Sequence, residues 1–441
     1  MVSTSEVNVI KQMGKKSAKA SVKATKNFEL SSERAGSHNG QAHEGNAPSD
    51  ISRKINRDIV LEMIRARQPI ARMDLARFSG LQRSTISAIV EQLLEERWIK
   101  EGALVKTARG RRPTHISLND ELVILVADIR PTRAILAVVD LNARLLSREV
   151  VPLISDPNQG VIAVIAAMQR LRSDHQGKTF EGIGISLPGR VDPQTQCLIL
   201  APNLKWTNFD IKTIVEEKMQ LQVELDNAAN ACLLSEHWFG RMNGVRNAVL
   251  ITISEGLGAA ILVDGHLVTG MSGLAGEFGH IPLDPSGPRC GCGLTGCWEM
   301  FASSRAALRY YEELKPKVPS TTIQDLLNRA AGNEPMALKA LDRQAKYIGQ
   351  GLRLVTAALS PEAILFAGDI TACWERSGPL IEEEMKSRML AGKAPQLILI
   401  GDGELARLRG AAAIVLQRHS RYHSRRGQFR RVDIRQNAQR A

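Results

Sequence analysis

Long apolar runs are missing from this 441-residue chain: no stretch of about 18 apolar residues occurs, so no membrane span is expected. The N-terminus has neither an apolar h-region nor a small-residue cleavage site, which points to the cytoplasm. Cysteine is scarce, six in all, and a disulfide framework is not the expectation without a secretory segment. Acidic residues are outnumbered, 46 against 58 basic. What the chain does have is length and 44% hydrophobic residues, enough for a large core and two or three domains.

The positive charge sits at the ends. Residues 51–120 carry 14 basic and 8 acidic side chains, and residues 418–441 carry 8 and 1. The segment 121–417 is left at about −3. A near-neutral middle between basic ends implies that the ends meet a polyanion. Residues 1–50 repeat lysine without an apolar partner face and hold a single aromatic, Phe28, so they read as a disordered basic tail. The Arg-rich residues 418–441 read as a second tail, solvated or assisting on DNA.

Within 51–120 the pattern is that of a winged helix-turn-helix. Ile55, Ile59, Val60, Met63 and Ile64 give one apolar helical face, which Pro69 ends. A short helix over Asp74–Phe78 follows, Gly80 makes the turn, and Ser84–Arg97 carries the stripe Ile86, Ile89, Val90, Leu93, Leu94. Gln82, Arg83, Ser84, Thr85 and Ser87 stay outward at the start of that helix, where a recognition helix meets base edges and phosphates. Arg72 precedes it, and Arg109, Arg111 and Arg112 sit on a Gly/Pro-stiffened wing suited to phosphate or minor-groove contact. The competing reading is a helical dimerisation module with a solvated basic face.

Residues 273–299 concentrate the chemistry. Cys290, Cys292 and Cys297 lie within eight residues, spaced by glycines, with His280 ten residues upstream. One imidazole and three thiolates form a common tetrahedral zinc set; the alternatives are a disulfide or free thiols. Cys197, Cys232 and Cys373 are scattered in apolar sequence and read as buried thiols. Glu277 and Glu299 flank the cluster, and rigid carboxylates suit a ligand rich in hydroxyl groups, although solvated surface glutamates would give the same spacing.

Gly273, Gly276, Glu277, Gly279, His280, Cys290, Cys292, Gly293, Gly296, Cys297 and Glu299 together match G-x-x-G-E-x-G-H, nine residues, then C-x-C-G-x-x-G-C-x-E. This pattern resembles the signature of the ROK family (repressor, open reading frame, kinase), and the likeness runs from about residue 55 to 417. It implies an α/β, two-lobed domain of the actin and hexokinase (ribonuclease H-like) type over 121–417. It also implies structural zinc on His280, Cys290, Cys292 and Cys297, and a sugar at Glu277, His280 and Glu299. Gly189 and Asn203, in segments similar to the family's P-G and P-N-L-x-W, and Asn227 extend that sugar set. The segment Ile70–Val90 resembles the DNA-binding half of the family's repressors, a half that its sugar kinases lack.

Three departures from the family's kinases agree with one another. The first phosphate loop, D-x-G-G-T-K in kinases, reads Asp128-Ile129-Arg130-Pro131-Thr132-Arg133. Bulky arginine and an N–H-less proline replace two glycines there. The general base of N-D-A-N-A falls on Ala228, with Asp226 two residues too early. The second loop, G-T-G-x-G, carries Glu255 where a triphosphate needs donors. The expectation is therefore a regulator and no enzyme: operator DNA as partner, a sugar or sugar derivative as effector, a homodimer or tetramer as assembly. The alternative is an ATP-dependent sugar kinase with a DNA-binding appendage.

Overall fold

Helix α1 (Pro48–Arg67) forms where β-branched and long apolar residues recur at helical spacing, and it buries Val60, Leu61 and Ile64. Ile59, expected on that face, is instead 39% exposed. The helix also starts three residues before residue 51, where the sequence pattern placed the boundary. The structure, a computed structural model, describes residues 48–102, 114–240, 242, 244–315, 322–387 and 392–419. The tail over 1–47, the wing arginines Arg109, Arg111 and Arg112, and the segment beyond 419 lie outside the described residues.

Strand β1 (Ile70–Ala71) leads into α2 (Arg72–Ser79) and α3 (Arg83–Glu95). Gly80 joins them in the left-handed region, φ 72°, with its N–H on Ala76 O. Helix α3 buries Ile86, Ile89, Val90 and Leu93, at about 1.5–3 kcal/mol apiece. Strands β2 (Ile99–Glu101) and β3 (His115–Leu118) complete an antiparallel sheet in the order β1-β3-β2.

The remainder holds two sheets of one design. The first has β4 (Leu122–Ile129), β5 (Arg133–Asp140) and β6 (Leu145–Pro152) as an antiparallel meander, then β7 (Thr179–Leu187) and β11 (Val223–Asn227) added in parallel on the other side of β4. Helices α4 (Pro157–Ser173) and α5 (Ile211–Met219) and a small sheet of β8 (Arg190–Val191), β9 (Leu198–Ala201) and β10 (Trp206–Phe209) belong to this lobe. After α6 (Ala228–Phe239), the second lobe repeats the order. A meander of β12 (Ala248–Ile253), β13 (Leu257–Val263) and β14 (His266–Leu267) precedes parallel β15 (Ala363–Gly368) and β16 (Gln396–Leu399). Between them come α7 (Glu299–Ala302), α8 (Ser304–Leu314), α9 (Ile323–Ala331), α10 (Pro335–Leu359) and α11 (Trp374–Lys386).

All eight residues of β4 are buried because both faces are covered. Val123, Leu125 and Ala127 alternate into the core shared with α4 and α5. Ile124 and Val126 point into another core, continuous with Val60 and Ile64 of α1, that also takes Leu408 and Val415 of α12 (Gly403–His419). Helix α12 runs past Gly410, which lies seven residues beyond its start. A Cβ at Gly410 would stand 1.9 Å from Ala231 O, so glycine lets α12 lie against α6. Of the three scattered cysteines only Cys232 is fully buried; Cys197 and Cys373 are partly exposed. Among the described residues no helix is long and apolar enough to cross a membrane.

Candidate metal centre and ligand cleft

Left-handed glycines curl the 273–297 segment back on itself. Gly276 has φ 93°, and a Cβ there would meet Ala259 O at 2.6 Å; at Gly296, φ 68°, it would meet Asp284 O at 1.5 Å. The fold-back brings one ligand atom each from His280, Cys290, Cys292 and Cys297 within 4.8 Å of one another. Sγ of Cys292 and Cys297 lie 3.6 Å apart, and Cys290 Sγ lies 3.6 Å from His280 Nδ1. A disulfide requires about 2.05 Å, so the cysteines are not bonded to each other. A tetrahedron with bonds of about 2.3 Å to sulfur and about 2.0–2.1 Å to nitrogen has edges of about 3.8 Å and 3.6 Å. The donor set fits such an ion. Burial raises the Cys290 and Cys297 thiols, the latter to about 12, while the Leu294 N–H lowers Cys292. Holding all three as thiolates would require a cation beside them.

His280 turns its other nitrogen to Glu277, Nε2 to Oε2 3.7 Å. Nδ1 faces the cluster and Nε2 faces a half-exposed carboxylate, as where a carboxylate behind a metal-bound imidazole orients its ring. Glu299 stands beside the cluster, its Oε1 3.9 Å from Cys290 Sγ. It crosses to the turn between β12 and β13, where Oε2 accepts from Leu257 N at 3.0 Å, with Arg305 3.9 Å from Oε1. A Cβ at Gly256 would stand 2.5 Å from Glu299 Oε2, so the second loop is closed down on a carboxylate. Glu255 itself is exposed and its carbonyl takes Arg305 Nε.

The first loop, between β4 and β5, is also occupied. Asp128, 1% exposed, accepts on Oδ2 from Arg130 Nε at 2.7 Å and from Arg407 Nε at 2.9 Å. Glu404, at the start of α12, pairs with Arg130 at 3.4 Å, with Arg133 at 3.7 Å and with Arg148. Nothing in the local sequence points to Arg407 or Glu404, which lie more than 270 residues beyond the loop.

The remaining sites fall at strand ends. Gly189, φ 109°, follows β7 and presses on β9, where a Cβ would meet Leu200 O at 2.3 Å; close packing alone demands glycine there. Asn203 is exposed between β9 and β10. Asn227 caps α6, its Oδ1 accepting from Asn230 N at 2.8 Å. Asp226 Oδ1 accepts from Asn227 N and Asn230 Nδ2, both at 2.7 Å, and burial pushes its carboxyl up to about 6. Ala228 opens the helix. On α3, Gln82, Arg83 and Ser84 are exposed and Thr85 and Ser87 half-buried. Arg72 is held differently: it bridges Glu91 of α3 at 2.8 Å and Glu101 of β2 at 2.9 Å, bracing the helix against the sheet.

A family profile described as "ROK family" matches residues 126–418. The xylose repressor of Bacillus subtilis (strain 168) is 29% identical over 380 residues, 84% of this chain and 97% of that protein. The N-acetylglucosamine repressor of Escherichia coli O157:H7 is 27% identical over 363 residues, 80% of this chain and 89% of that one. Among solved structures, a ROK family transcriptional regulator described as a homolog of the E. coli MLC protein superposes with TM-score 0.74 and 26% identity over 84% of this chain and 98% of its own. A ROK family glucokinase from Streptomyces griseus in complex with glucose and AMPPNP has TM-score 0.60 and 28% identity, over 67% and 99%.

Proposed function

Because this chain belongs to the ROK family, we propose that it is a sugar-responsive, DNA-binding transcriptional regulator that represses carbohydrate genes and does not phosphorylate its ligand. The observation that carries the reading is the Asp128–Arg130–Arg407 ion pair in the first phosphate loop. A nucleotide triphosphate would have to displace two guanidinium groups from a buried carboxylate and accept Pro131, which has no N–H to offer. Ala228 supplies no base for the attacking hydroxyl. The names of the relatives agree: two repressors match over 80–84% of this chain. The regulator structure covers 84% of the chain and the glucokinase 67%, a difference of 17% or about 75 residues, the length of the segment from α1 to β3.

In this reading α1–α3 and β1–β3 are a winged helix-turn-helix with α3 in the major groove, Gln82, Arg83, Ser84, Thr85 and Ser87 at its leading end. Two copies in a homodimer meet two half-sites. Arg72 positions α3 through Glu91 and Glu101. The effector is a neutral sugar. Glu277 and the Nε2 side of His280 accept and donate to its hydroxyls, with Asn203 and Asn227 on the other lobe; Gly189 and Glu299 shape the walls. Zinc on His280, Cys290, Cys292 and Cys297 would hold the 273–299 segment rigid and supplies no reaction chemistry.

The test is a DNA-shift assay on the fragment upstream of the chain's own gene, with and without D-xylose, D-glucose and N-acetylglucosamine. One of these sugars, or a derivative, is expected to change the affinity at least fivefold. Release of ADP from ATP on a hexose panel at a turnover of about 1 per second or more would replace this reading with the kinase one.

A further inference from the structure

Helix α6 begins in the cleft and ends under the DNA-binding module. Asn227 caps its first turn, and Asp226 holds Asn230 within that turn. Twelve residues on, about 18 Å along the axis, come Trp238 and Phe239. The guanidinium of Arg65, on α1, lies over both rings, 5.3 and 5.7 Å from their centroids. Arg65 is enclosed, its side chain 17% exposed, yet its carboxylate partner Glu62 is 4.0 Å away and its Nε has no hydrogen-bond partner among the described residues. Ring faces attract the cation, while a buried, unmatched N–H opposes it. The rings thus hold the guanidinium against the cost of that N–H.

The second lobe reaches the same place. Leu267 of β14 packs into the cluster of α6 and α12 that includes Trp238, Phe239 and Ile414. The His237 ring lies over Gly265 in the β13–β14 turn, Cε1 3.6 Å from where a Cβ would stand. Beside them, Gln68 accepts from Leu118 N and bonds Asn142 of the β5–β6 turn. Helix α1 packs on α3 through Val60, Ile64, Ile86, Ile89 and Val90, in a core that runs on into Ile124, Val126 and Val415 of the first lobe.

Resting on the regulator reading, we infer that the Arg65–Trp238–Phe239 contact, backed by Gly265 and Leu267, is the junction through which lobe closure reaches the DNA-binding module. A ligand in the cleft biases the angle between lobes. The β13–β14 turn then presses on or withdraws from His237 and the two rings, Arg65 seats or releases, and α1 carries α3 to a new angle. Arg65 and Trp238 are positioning residues that touch neither sugar nor DNA. Both binding events bias one two-state element, so the coupling is reciprocal.

Reciprocity allows a test that needs no effector. Hydrogen exchange on the full chain, with and without the upstream DNA fragment, is expected to change at least threefold at the amides of residues 236–239 and 265–268. Trp238→Leu and, as a milder variant that keeps the stem, Arg65→Met are expected to abolish that change while holding DNA affinity within threefold. In both, the ratio of DNA affinities without and with the responsive sugar should fall to within twofold of one. Exchange at 265–268 that ignores DNA in the unaltered chain overturns the inference, as does a folded variant that keeps the full ratio. Amides that answer to DNA but to none of D-xylose, D-glucose or N-acetylglucosamine leave the junction standing and remove the proposed effector class instead.

Discussion

Replacing Arg407 by methionine isolates the interaction that closes the first phosphate loop. Methionine keeps the apolar stem and removes one of the two guanidinium groups on Asp128 Oδ2. Removing one partner of a buried pair typically costs 3–5 kcal/mol, because the other charge stays buried. Arg130 remains at 2.7 Å, so the lower end, about 3 kcal/mol, is expected. Unfolding entropy of about 2.1 cal/mol/K per residue over the roughly 350 described residues gives ~0.7 kcal/mol/K, hence a fall in Tm of about 4 °C. The fall grows if the first lobe melts alone. Thermal and urea unfolding measure it, and Asp128→Asn in the Arg407→Met background should recover part of the loss, since the buried carboxylate charge is gone and Arg130 keeps Glu404 at 3.4 Å. An Arg407→Met chain within 1 °C of the parent would refute the idea that this ion pair fills and stiffens the loop. So would a clear Tm rise of the unaltered protein in magnesium-ATP, because a nucleotide would then be finding room that the arginines are argued to occupy.

Two further outcomes are expected. Metal analysis of the purified chain should find one zinc per chain; Cys292→Ser should lose it and lower the Tm by several degrees, and a variant that keeps both zinc and Tm would exclude the four-residue site. Asp226, held up to about 6 by burial against an unfolded value near 3.9, contributes least cost below pH 4 and destabilises the fold progressively as pH rises through 6, by up to about 3 kcal/mol. Asp226→Asn, whose oxygen still accepts from Asn227 and Asn230, should therefore raise the Tm at pH 8 and lose that advantage near pH 4.5; an equal effect at both pH values would show that the carboxyl is not buried as described.

Chemistry set by short spacing was legible in the linear chain. Cys290, Cys292, Cys297 and His280 meet because left-handed glycines between them leave the loop few ways to fold, and the ligand distances follow. The buried stripe of α3 and the alternation in β4 follow from periods of 3.6 and 2. That Ala228 carries no proton-accepting side chain is a fact of composition at one position. Periodicity was less reliable at element ends and edges: α1 begins at Pro48, before the pattern's boundary at 51, and Ile59 on its expected apolar face is 39% exposed.

What the sequence by itself determined is the inventory: which elements form, which residues could hold a metal, and which side chains stand at positions 128–133, 228 and 255. Only the tertiary structure decided how the long polar side chains are spent. Glu299 reaches the β12–β13 turn, Arg72 braces α3, and Arg407 and Glu404 return from the far end of the chain to occupy the loop at Asp128. Arg65 rests on Trp238 and Phe239 for the same reason. A flexible charged side chain has several partners within its reach, and the choice among them depends on which surfaces the packed lobes bring together and how much water they exclude, neither of which is written in local spacing.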